Sequence, residues 1–88
     1  MTTHELKTWS DFYCAVASGE KTFELRKDDR GFKVGDILHL REWSPVKQEY
    51  SGREIYVEVT YILSGFALES GWVAMAIRLS PPPSMPKC

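Results

Sequence analysis

From Ile55 to Tyr61 the apolar residues fall on every second position: Ile55, Val57, Val59 and Tyr61 alternate with Tyr56, Glu58 and Thr60. A period of two marks a half-buried strand, because successive side chains leave an extended backbone on opposite faces. The rhythm returns in Val73, Met75, Ile77 and Leu79 against Trp72, Ala74, Ala76 and Arg78, and in Leu38 and Leu40 against His39 and Arg41. It returns again in Phe23 and Leu25 against Thr22, Glu24 and Arg26. In each case the apolar set is expected in the core, which sends Thr22, Glu24 and Arg26 to the opposite face. A further short strand is expected over 4–7.

One segment breaks the rhythm. Residues 10–19 predict a helix, with Ser10 as N-cap, Asp11 at the positive end of the dipole and Gly19 as the left-handed residue after the last turn. Phe12, Ala15 and Val16, at i, i+3 and i+4, form its expected buried stripe. A helix of about three turns must be held by packing on a sheet. The cluster Asp28-Asp29-Arg30-Gly31 ends a strand, and Pro45 with Ser51-Gly52 predicts a loop over 44–52. One helix followed by four or five mostly antiparallel strands describes an α+β, mostly β chain whose small, strongly curved sheet closes toward a barrel. At 88 residues there is room for one domain, expected over 1–79. Residues 80–88, with Pro81-Pro82-Pro83, read as a flexible proline-rich tail, or as a docking site for a proline-reading partner.

A net charge of −1 and a pI near 6.1 exclude the excess positive field of a sequence-independent duplex binder. Positive charge concentrates in residues 21–47, which hold seven bases against five acids and are where an anionic ligand is expected. Cys14 and Cys88 lack the spacing of a zinc site or a disulfide framework and read as reduced thiols. With no apolar run near the roughly 20 residues of a membrane span and no leader pattern at the N-terminus, the expected address is the cytoplasm. His4 and His39 have no ligand-spaced neighbours, so no metal is expected. No glycine-rich phosphate loop or serine elbow appears, so no cofactor is expected either.

The segment Gly19-Glu20-Lys21-Thr22-Phe23-Glu24-Leu25-Arg26 delivers three ionisable groups to one small area. Arg26 can fork onto a phosphate or a base edge, Lys21 supplies a point charge, and Glu24 accepts from an amine or hydroxyl. The alternative is that Glu24 and Arg26 only decorate a solvated strand face. Arg30 either reaches a phosphate or pairs locally with Asp28 and Asp29. Trp43, Tyr56 and Trp72 either floor a binding site or pack in the core.

The pattern Gly-x-Lys-Thr-x-Glu-x-Arg, carried by Gly19, Lys21-Thr22, Glu24 and Arg26, is followed by Gly35-Asp36 opening a strand and preceded by Leu6-Lys7. It resembles the ASCH domain family of the PUA-like superfamily, and within it the small bacterial and phage members of uncharacterised function. The resemblance implies a PUA-type β-barrel with a cleft beside the helix and a role in binding RNA or a modified nucleotide. By the same resemblance Lys7 and Trp9 line that cleft, where Trp9 either stacks on a base or staples the helix start to the core. Some ASCH relatives are similar to amidohydrolases of acetylcytidine that use a lysine, a threonine and a glutamate. Here Lys21 matches the lysine, while Glu24 stands where the threonine would be, so a hydrolytic site would be repurposed, with Glu24 as general base and Lys21 stabilising an oxyanion.

The expected function is recognition of a nucleobase or short single-stranded RNA through Lys7, Trp9, Lys21, Glu24, Arg26 and Arg30. A near-neutral chain suits one base in a pocket better than a long groove. The alternatives are a small amidohydrolase on N-acylated nucleosides and a protein-interaction module. The sequence does not fix the oligomeric state, although Trp43 and the 44–52 loop could support a weak dimer.

Overall fold

The computed structural model describes residues 2–81. Its elements are β1 (Thr3–Trp9), α1 (Ser10–Ala17), β2 (Phe23–Lys27), β3 (Ile37–Ser44), β4 (Glu49–Ser64) and β5 (Trp72–Ser80). The strands form one curled sheet in the order β1-β3-β4-β5-β2, a half-barrel with one helix, as the strand rhythm and the single helix predict. β1 runs parallel to β3, and every other pairing is antiparallel. Residues 82–88 lie outside the described residues, and with them most of the proline-rich segment.

The core fills the inner face of the curl. Leu38, Leu40, Val57, Val59 and Met75 are fully buried, and Leu6, Val16, Phe32, Val73 and Ile77 complete the cluster. Burying one such side chain contributes about 1.5–3 kcal/mol. β1 is longer than predicted and alternates strictly, with His4, Leu6 and Thr8 inward. Two acids fasten the rim. Asp28 accepts from the amides of Gly31 and Phe32, and Asp36 accepts from the Thr2 and Lys33 amides and from His4 Nε2 at 2.9 Å. Gly19 and Gly35 sit at φ 87° and 95°, conformations that suit glycine where the chain turns into a strand.

Five local expectations are corrected. In β2 the polarity is the reverse of that predicted: Glu24 is buried, whereas Phe23 and Leu25 stand about half-exposed. The register explains this, since Glu24 pairs with core-facing Met75 and Leu25 with outward Ala74. On α1, Tyr13 and Val16 face inward and Phe12 does not, while Trp9 rather than Ser10 occupies the N-cap position. Most of the 44–52 loop is strand: β3 and β4 form a hairpin around residues 45–48, with Gln48 at φ 54°. In β4 a bulge between Val59 and Tyr61 reverses the alternation, so that Tyr61 turns outward opposite Ala76 and Ile62 packs on the core opposite Met75. Leu79 pairs with Val57 on the inner side but runs past the end of the core and is exposed.

The sheet's outer strands, β1 and β2, share no ladder. Two arginines cross the seam between them: Arg26 Nη2 donates to the Lys7 carbonyl at 2.8 Å, and Arg30 Nη1 donates to the Glu5 carbonyl at 2.7 Å.

Candidate functional site

The seam widens at the helix end into a cleft of about 530 Å³. Its apolar wall comes from Trp9 at the end of β1, Phe12 on α1, Phe23 and Leu25 on β2, and Trp72 at the start of β5. Its polar groups are Lys21, Glu24 and Arg26, with Lys7 and Thr8 along the β1 side. The size falls within the roughly 300–1,000 Å³ of small-molecule pockets, enough for a nucleobase.

Glu24 organises the polar part. Its carboxylate is buried, and a buried charge needs partners on each oxygen. Lys21 Nζ donates to Oε1 at 2.8 Å and Arg26 Nε to Oε2 at 2.7 Å. Lys21 also donates to the Phe23 carbonyl at 2.7 Å, and its ammonium lies 4.9 Å from the Phe23 ring centroid and 5.6 Å from that of Phe12. The three groups carry a net +1, with N–H donors of Arg26 and Lys21 beyond those used internally. Trp9 stacks on Phe12 with centroids 6.4 Å apart and planes at 19°, and both rings keep about half their surface exposed. Aromatic faces beside clamped cations can stack on a flat heterocycle and donate to its edge.

The predicted residues divide cleanly. Trp9, Lys21, Glu24 and Arg26 converge on the cleft. Lys7 borders it through its backbone, which receives Arg26, while its ammonium sits over the Trp43 ring at 4.6 Å on the outer face. Arg30 is not in the cleft lining; it bridges to Glu5 and lies 3.8 Å from Asp29. Of the three floor candidates only Trp72 reaches the cleft: Trp43 lies under Lys7, and Tyr56 stacks on His39 at 4.3 Å. Phe12, Phe23 and Leu25 were assigned to the core by periodicity. For Phe23 and Leu25 the signal is the charged residue between them, which turns inward where Lys21 and Arg26 meet it, and Phe12 turns to the cleft because Tyr13 and Val16 take the buried face of α1.

A second polar cluster gave no sequence signal. Glu42, buried opposite a bulge of β4, accepts from Ser51 Oγ at 2.6 Å and from Arg53 Nε and Nη2 at 2.9 and 2.8 Å. The Arg53 bonds, with help from Ser51, hold its carboxyl down at about 2. The Arg53 guanidinium lies 5.1 Å from the Tyr13 ring centroid, so the cluster ties the β3–β4 hairpin to α1. Burial pushes the Tyr13 phenol up against the opposing charge of Arg53. Each histidine meets one carboxylate, His4 with Asp36 and His39 with Glu54. Among the described residues no three acidic, cysteine or histidine side chains gather as a metal would need, and no helix is long and apolar enough to cross a membrane. Cys14 is free and exposed.

Residues 3–77 match a family model described as "Domain of unknown function (DUF3850)". The chain is also similar to the "Uncharacterized 12.9 kDa protein in GpA 3'region" of Escherichia phage P2, at 37% identity over 57 residues, 65% of this chain. It spans about half the length of that relative, 50%.

Proposed function

We propose that this protein, which belongs to the DUF3850 family, binds a nucleobase or a short single-stranded RNA segment in the cleft between α1 and β2. The observation that carries the reading is one open cleft in which half-exposed aromatic rings surround a Lys21–Glu24–Arg26 cluster. The likeness of Gly19, Lys21-Thr22, Glu24, Arg26 and Gly35-Asp36 to the ASCH pattern of the PUA-like superfamily supports it, as does the curled sheet. Trp9 and Phe12 supply stacking surface, and Arg26 and Lys21 supply donors to a base edge or a phosphate. Geometry favours binding over N-acyl nucleoside hydrolysis. Both Glu24 oxygens are engaged by charge-assisted bonds to Lys21 and Arg26, and Thr22, the hydroxyl of the motif, lies outside the cleft lining.

The test is an NMR titration of labelled protein with free nucleosides and with single-stranded RNA. Amides of residues 7–9 and 21–26 should shift together, and Trp9→Ala should weaken binding about 5- to 150-fold, the value of one stacked base. Amides that stay still at millimolar ligand would refute the binding reading. Release of cytidine from acetylcytidine would transfer the site to hydrolysis.

A further inference from the structure

The outer face of the sheet carries a second apolar feature, which shares Phe23 and Leu25 with the cleft wall and extends from them across β5 to β4. Ladder partners share a face, so the outward residues of β2, β5 and β4 fall into two rows: Phe23–Ala76–Tyr61 and Leu25–Ala74–Leu63. Each row is large, small, large. Ala74 and Ala76 therefore floor a trough on the middle strand, with one ridge on β2 and the other on β4. Neighbouring strands lie about 4.8 Å apart, which sets the ridges roughly 10 Å apart, a gap that admits one row of side chains. The β4 ridge exists because of the bulge after Val59, which turns Tyr61 and Leu63 outward.

These ridges are exposed: Phe23 52%, Leu25 47%, Tyr61 64% and Leu63 38%. At the areas typical of such side chains they leave on the order of 400 Å² of apolar surface, within the roughly 300–600 Å² of a monomer's largest patch, which is often functional. None of the six residues is charged, and the nearest outward ion pair on these strands, Arg78–Glu58, is satisfied within the chain.

We propose that this trough is the two-fold contact of a homodimer. A ridge beside a trough is complementary to a second copy of itself, since under a two-fold axis each copy lays one ridge into the other's trough and residue i meets j as j meets i. Area agrees as well. A standard interface removes about 800 Å² per partner, a little over half of it apolar, and the ridges with their alanine floor supply about that apolar share. The rows themselves carry no charge, with Lys21 over the Phe23 ring and Lys27 next along the β2 ridge as rim cations, and an uncharged centre suits self-association because a two-fold brings every charge near its own copy.

Analytical ultracentrifugation in reducing buffer, which prevents a Cys14 disulfide from supplying the dimer, reads the outcome directly. From about 1 µM to about 1 mM protein, the mass should rise from one chain to two. Tyr61→Lys and Leu63→Lys, which lie outside the cleft and are exposed enough to leave the fold intact by circular dichroism, should each move the midpoint at least about tenfold higher. A single-chain mass throughout the range overturns the proposal, and so does a dimer that both lysine variants leave unchanged. Nucleoside binding is read on the Leu63→Lys variant at the amides of residues 7–9, which lie off the shared β2 ridge, so either result can fail without the other.

Discussion

Glu24 is held by two cations that it also holds in place, and that reciprocity makes it the most sensitive single position in the cleft. An amide in its place accepts from one cation but points an N–H at the other. Glu24→Gln is therefore expected to lower stability by roughly 2 to 4 kcal/mol, the range for breaking a buried charged pair, and to release Lys21 and Arg26 from their common orientation. Urea denaturation measures the first effect and loss of nucleoside-induced shifts the second. A variant as stable as the parent would show that the carboxylate does not organise the cleft. The spacing of Lys21, Glu24 and Arg26 made their convergence legible in the sequence. That the acid is buried and the cations clamp it was not legible, because an alternating string fixes which residues share a face and leaves open which face turns inward.

At the scale of the element, β2 shows what decides that question. Phe23 and Leu25 are the more apolar set, yet they lie outward because the ladder to β5 places Glu24 over Met75. Leu25→Thr should then cost under about 1 kcal/mol, as expected for a surface position in a strand, while Met75→Ala should cost about 2–5 kcal/mol as a buried truncation. Thermal melts of the two variants compare them; a larger loss for Leu25 would restore the opposite polarity. The strands over 37–43, 55–59 and 73–77 were readable because one set in each is apolar and the pairing is regular. The bulge in β4 was not readable, since the unpaired residue at Thr60 breaks no local pattern: both Tyr61 and Ile62 suit a core. The hairpin at 45–48 was hidden in a hydrophilic stretch because Glu49–Gly52 extend on the strength of pairing and of the Glu42–Arg53 bonds rather than of their own propensity.

For the molecule as a whole, two buried acids set the response to pH. The Glu42 carboxyl lies at about 2 when folded against 4.5 when free. Burial tends to raise Asp36, but the bonds from His4 and from the Thr2 and Lys33 amides outweigh it and leave the group below its ordinary 3.8. Both depressions stabilise the fold when the carboxylates are ionised, fully so above the unfolded values, and the contribution is lost as pH falls through the folded ones. The melting temperature should decline from about pH 4.5 toward pH 2, with Glu42→Gln flattening that decline from a lower starting point. Melts at stepped pH check it, and an unchanged slope in the variant would remove Glu42 from the account. The seam between β1 and β2 has a consequence of another kind. Strands joined by a ladder are confined to a spacing of about 4.8 Å, but strands laced by guanidinium groups are not, because a side chain with several rotatable bonds can lengthen its reach and keep its grip. The seam is thus the one part of the sheet's circumference, among the described residues, whose width is set by side chains and not by backbone rungs.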